Sequence, residues 1–333
     1  MIVPAGNRTE GDVSCPAAGM MSESMRLTLD RDHLVFADRL RVSFHRTLRV
    51  PDDGRRFPLP PGLGRFPIAR AGDHEPRLPA EWRGDNVYLI PMYQREALWI
   101  GLENEWPPVA VRVAVGHISV VSGRRVAEGP GADPQDYVVT PEQLWLDGIN
   151  VGPSTVRQFV AMPLGQGYTV ESAITGTEQH GGIQITVWPP RPEVQLSPPA
   201  RPTGPMAARR PGPPAMGLGA GGRVVQKIYP DPHGVETWDT ARAVRADVHI
   251  LNSAQWREVV GLEPPPTPVD AATYSAHGLP WFALYEEHQG DVPAPEVLRT
   301  ATTIADTDRA RHRVEVDGPV DVDEAQIIKL RRQ

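Results

Sequence analysis

Cysteine, lysine and long apolar runs are all scarce in this chain, and each scarcity removes a class of chemistry. Of 333 residues only Cys15 is a thiol. Intramolecular disulfides and cysteine-based metal cages are therefore excluded, and a reducing, cytoplasmic setting is the easier fit. Lys227 and Lys329 are the only lysines among 34 basic residues. This leaves almost no amine for a phosphate-binding P-loop or a Schiff base. No window approaches the 18 consecutive apolar residues of a membrane-spanning helix. The net charge of −7 disfavours non-specific binding of nucleic acid. The first residues lack the basic-then-apolar pattern of a secretory signal, and residues 1–26 read as a disordered leader.

Local catalytic signatures are missing too. There is no G-x-S-x-G elbow, and Cys15 lies in the leader. The ten histidines form no H-E-x-x-H and no ligand-spaced pair on one element. Glu315, Asp317, Asp321, Asp323 and Glu324 cluster, but not in the order of a calcium loop, and they read as a solvated turn. Glu96, Asp147, Glu171 and Glu178 lie in or near the sheet region and leave carboxylate chemistry open, as they would in any protein of this size.

The sequence is instead rich in proline (37) and glycine (31), which favours short elements and many turns. In "RLRVSFHRTLRV", Leu40, Val42, Phe44, Leu48 and Val50 alternate with polar residues. This period of two marks a strand, and Arg46 is the one exception on its apolar side. Further strands are expected at Val87–Met92, Ala97–Ile100, Val109–Val115, Ile118–Ser122, Thr155–Met162, Tyr168–Ile174 and Ile183–Trp188. Thr140, Pro141 and Gln143 suggest one intervening helical turn. Together they predict a mainly β protein, with an antiparallel β-sandwich or partly open barrel over residues 27–190.

Residues Pro189–Pro214 contain ten prolines and few apolar side chains, so 191–222 reads as a Pro/Gly-rich linker. Its P-x-x-P segments lack a suitably placed arginine and read as a spacer. Residues 223–333 then form a small acidic α+β domain, with 18 acidic and 12 basic residues. Strands are expected at Arg223–Tyr229 and Ala246–Leu251. Short helices are expected after Asn252, after Asp270, from Pro280 and over Pro295–Ala305. "RHRVEVDG" reads as a strand, and "DEAQIIKLRRQ" as a final strand or helix.

Gly217, Gly219 and Gly222 match G-x-G-x-x-G. A dinucleotide fingerprint needs a strand before the first glycine and a helix after the last. The upstream "RRPGPPAM" and the β-favouring "RVVQKIYP" meet neither condition, so no nucleotide and no cofactor is predicted.

Two features remain as candidate binding surfaces. Arg39, Arg41, His45 and Arg49 fall on the polar side of the first strand, where guanidiniums suit an acidic protein partner. The competing reading is a solvated outer face. In "HGLPWFALYEEH", Trp281, Phe282 and Tyr285 offer either a partner anchor or an ordinary helical core stripe. His45, His117 and His180 would bind a metal if strand packing brought them together. The sequence thus favours a soluble two-domain binding or assembly protein. A hydrolase or metal-dependent enzyme with a site in a cleft of the β domain is the alternative.

Overall fold

The structure is a computed structural model and describes residues 26–197, 216–284, 290–313 and 318–330. It is mainly antiparallel β, with one 17-stranded sheet, a separate two-stranded sheet and a few short helices. Val109–Val115 and Ile183–Trp188 are strands with the bounds their apolar runs imply, and Leu40–Thr47 follows the alternation.

Two ladders organise the large sheet. In the first, Leu40–Thr47 pairs with Ala97–Glu103, which meets Thr155–Pro163, which pairs with Met216–Val224. In the second, Val109–Val115, Ile183–Trp188, Val244–Leu251 and Val87–Pro91 lie side by side. They join where Met216 pairs with Ile250. The main core draws on both: Val42, Phe44, Ile100 and Phe159 from the first, Val113, Ile185 and Val248 from the second. Burying these side chains removes apolar surface worth about 1.5–3 kcal/mol for each large residue.

The expected linker is corrected at its C-terminal end, because Met216–Gly222 is part of a nine-residue strand. The chain on both sides of the expected boundary contributes to one sheet. The glycines are needed there for close approach. A Cβ on Gly219 would stand 2.6 Å from the Tyr168 carbonyl oxygen, and one on Gly222 would meet the carbonyls of Val50 and Pro51. No helix follows, since the strand ends at Val224 and the chain continues without regular structure.

Other local expectations change for identifiable reasons. Tyr168–Ile174, expected as a strand, instead contains an α-helix, Val170–Thr175. The Thr169 hydroxyl accepts from the Ser172 N–H, and Gly176 ends the helix with positive φ, so end signals outweigh β-propensity. No helix forms after Thr140; the chain turns and enters a short strand, Trp145–Leu146. Pro280 starts no helix either: Trp281–Leu284 is a strand paired in parallel with Ile327–Leu330. The Phe282 N–H also donates to the Leu59 carbonyl, so backbone partners outweigh the helical spacing of the apolar residues. Pro295–Ala305 gives two helices, Glu296–Arg299 and Ile304–Ala310, rather than one. The helices capped by Asn252 and Asp270 form as expected. The leader up to residue 25 and the central half of "RHRVEVDG", residues 314–317, lie outside the described residues.

Candidate functional site

The expected arginine face is broken up by its neighbours. Arg39 is exposed just before the strand, and Arg41 is half-buried and donates to the Asp30 carboxylate at 2.8 Å. Further along, Ser43 and His45 are both fully buried, which corrects the reading of a continuous solvated face. The His45 ring stacks on Trp99 with centroids 3.8 Å apart, and its Nε2 lies 2.9 Å from the Ser43 hydroxyl. Burial pushes the His45 pKa down to about 2, so the ring is neutral. Gly101 makes the burial feasible, because a Cβ there would come within 2.9 Å of the Ser43 oxygen. Arg49 lies beyond the strand end and turns into a cavity.

Arg46, the exception to the alternation, is a buried cation with a built partner. Its Nε donates to Glu96 Oε1 at 2.6 Å, and its Nη2 donates to the Pro266 carbonyl at 2.8 Å. The other Glu96 oxygen accepts from the Tyr93 N–H. Burial pushes Glu96 up to about 7 against the pull of Arg46. Arg46 thereby ties the chain at Pro266, after the helix capped by Asn252, to the sheet.

Two cavities take up the outer members of the predicted face. The first, of about 600 Å³, is lined by Arg49, Arg157, Arg223 and Arg309 together with four aspartates. Those acids are already engaged. Asp52 accepts from Arg157 at 2.6 Å and Asp53 from Arg55 at 2.7 Å. Asp306 accepts from Arg309, and Asp308 from both Arg95 and Tyr168. Burial pushes Asp53, Asp306 and Asp308 up, but hydrogen bonds, led by Arg55 on Asp53, Thr303 on Asp306 and Arg95 on Asp308, hold all three below the usual carboxylate range.

The second cavity, of about 560 Å³, has a different character. Phe36, Trp106, Val109 and Val187 supply apolar surface, and Arg39, Arg191 and Arg242 supply charge. No carboxylate lines it among the described residues. One wall is the start of the Pro-rich segment, held by Arg242, which donates to the Pro190 carbonyl and to Asp239, each at 2.7 Å. This groove is not visible in the sequence because its parts come from four separated stretches. Its one local signal is "WPPRP", an arginine among prolines.

Of the three histidines considered for a metal, two converge. His117 and His180 stack with ring centroids 4.1 Å apart and planes 15° from parallel. His45 belongs to the other ladder, on Trp99, and is not part of the group. No three histidine, cysteine or acidic side chains among the described residues are arranged to hold a metal ion. Nearby, His249 stacks on Trp82 at 4.2 Å, and burial lowers its pKa to about 4. The alternation of Arg245, Asp247 and His249 in the strand could have placed Asp247 and His249 on one face from sequence.

The aromatic candidates separate. Trp281 is fully buried against Phe57 and Tyr274, with centroids 6.4 and 6.3 Å away. Phe282 is half-buried, and Tyr285 lies outside the described residues. No helix among the described residues is long and apolar enough to cross a membrane. Comparison of the chain with models of known protein families, with curated proteins and with solved structures gives no match.

Proposed function

We propose that this is a binding or assembly protein that docks an acidic segment of a partner protein, carrying an apolar side chain, in the groove beside Arg39. The carrying observation is the lining of that groove: three guanidiniums around an apolar floor with no lining carboxylate, Arg242 being paired with Asp239 and Arg191 lying 4.0 Å from Glu236 just outside it. An apolar anchor would desolvate against Phe36 and Trp106 while carboxylates meet guanidinium forks, the division of labour found at binding hot spots. The groove has the size of an ordinary ligand pocket. The carboxylates of the larger cavity, bound by arginines, suit scaffolding better than proton transfer, which favours this reading over a hydrolase. We further read the two ladders as the layers of a β-sandwich, with the acidic C-terminal part as a second unit. The shared core of the ladders supports the first of these.

The test is a fluorescence titration with synthetic peptides that place one Phe or Leu among Asp and Glu. Saturable binding that weakens with salt and is lost in Arg39→Glu is expected. Equal binding by Arg39→Glu, or by a peptide with Lys in place of the acids, would remove the proposal.

A further inference from the structure

Three arginines meet in one cross-strand row. Arg157 lies directly opposite Arg223 where Thr155–Pro163 pairs with Met216–Val224. Arg223 in turn lies beside Arg56 of the short parallel strand Arg56–Phe57. The neighbouring row, Val156, Val224 and Phe57, is buried in the main core. Side chains alternate along a strand, so the arginines share the opposite face. Like charges directly opposite one another destabilise a sheet, and such a row calls for negative charge to answer it. The register also shifts just beyond Arg157, and irregularities of this kind re-aim side chains beside ligand sites.

The negative charge present answers only part of that row. Asp52 accepts from Arg157 Nη1 at 2.6 Å, and the same nitrogen donates to the Gly221 carbonyl at 3.2 Å. The rest of the Arg157 guanidinium has no hydrogen-bond partner among the described residues, although the side chain is only 8% exposed. The Arg223 guanidinium makes one bond among the described residues, to the Gly54 carbonyl at 3.3 Å. Both arginines line the cavity of about 600 Å³, as do Arg49 and Arg309. Each lining aspartate is matched by an arginine: Asp52 by Arg157, Asp306 by Arg309, Asp53 by Arg55 and Asp308 by Arg95. Arg55 and Arg95 are not part of the lining. Arg223 is therefore left over inside the cavity, and Arg49 adds positive charge that acts on Asp308.

We propose that this cavity holds the phosphoryl group of a small phosphorylated molecule, with the anion bridging Arg157 and Arg223. Residues directly opposite on paired antiparallel strands have Cβ atoms about 4.5–5.5 Å apart, so both guanidiniums reach one phosphoryl group. Guanidinium forks match phosphate oxygens in pairs. A phosphomonoester carries a charge of about −1.5 to −2 near neutral pH and so answers two cations where one carboxylate answers one. The volume falls within the range of small-molecule pockets and leaves room beyond the phosphoryl group for the body of a ligand. The site is separate from the groove beside Arg39, since no described residue lines both cavities.

The experiment is calorimetric titration of the full-length protein with glycerol 3-phosphate in a chloride buffer near neutral pH. Saturable binding of one molecule per chain is expected, weakening with added salt, and glycerol itself should not bind. Arg223→Gln should weaken binding at least about tenfold, because hydrogen bonds between charged groups are lost. The fold gives up only a contact to one carbonyl in that variant. Arg223→Lys should restore part of the affinity, since an ammonium keeps the charge but lacks the fork. Arg39→Glu should bind as the parent does, and loss of binding there would place the ligand in the other groove and overturn the assignment. Absence of saturable binding, equal binding by a folded Arg223→Gln variant, or binding of inorganic phosphate alone would also overturn it.

Discussion

The strands Leu40–Thr47 and Met216–Val224 belong to one sheet and are held in it by opposite means. The first is held by its side chains. Val42 and Phe44 are fully buried in the main core, and on the same strand Arg46 reaches a buried carboxylate. The second is held through the side chains it lacks. Gly219 and Gly222 let the carbonyls of Tyr168, Val50 and Pro51 approach so closely that no Cβ would fit. A strand can thus be specified by what it buries or by what it leaves out, and only the first leaves an alternating pattern.

The comparison can be broken most severely at Arg46. Arg46→Met strands Glu96 in the core, and removing one partner of a buried ion pair costs about 3–5 kcal/mol. Chemical denaturation should show that loss, and the double variant Arg46→Met/Glu96→Leu should regain much of it. If the single variant is as stable as the parent, Glu96 does not depend on its cation. In the glycine strand one added methyl should approach the same effect. Gly222→Ala is expected to cost about 3 kcal/mol, the upper part of the range for overpacking, because the obstructing atoms are backbone. A cost below that of an ordinary surface change would mean that the strand has room.

Asp147 sits between the two strands in the ladder; its carbonyl accepts from the Phe159 N–H and its carboxylate from the Trp145 indole. Burial pushes its pKa from 3.8 up to about 7. A raised folded value means that the protonated form stabilises the fold. That contribution is complete below about pH 3.8 and is lost as pH rises through about 7. Thermal unfolding should therefore show a decline of a few kcal/mol between those values, since each tenfold difference in proton affinity between folded and unfolded chain is worth about 1.4 kcal/mol. Asp147→Asn should flatten it relative to the parent, and parallel curves would assign the decline elsewhere.

The smallest expected effect comes from cutting the chain between the two strands. Among the arginines of the Pro-rich stretch, Arg209 alone is not followed by proline, so trypsin should cut there first. The nicked protein should keep its native mass, because Met216–Val224 stays paired with Thr155–Pro163 and Val244–Leu251 with Ile183–Trp188. Separation into two folded pieces would instead show that the parts hold themselves independently.

Much of the fold is legible where side chains alternate or end signals are local. The strands at Val109–Val115 and Ile183–Trp188 and the helices after Asn252 and Asp270 are of this kind. The helix at Val170 is hidden by β-favouring residues, although Thr169 and Gly176 mark both ends. Trp281 reads as helical in the sequence because its strand exists through pairing with residues about 45 positions later and with the distant Leu59. At the candidate sites the residue types are visible, but their grouping is not. His117 and His180 are joined by strand register, while His45 is removed from them by the same register.

By itself the amino-acid sequence determined a β-rich chain with one thiol, almost no lysine and a Pro-rich interruption, because composition and local period need no partner to be expressed. Tertiary structure decided which strands meet across that interruption, which arginines point into cavities and which histidines touch. Those outcomes depend on contacts between residues far apart in the chain, where a one-residue shift in register would exchange every buried side chain for an exposed one.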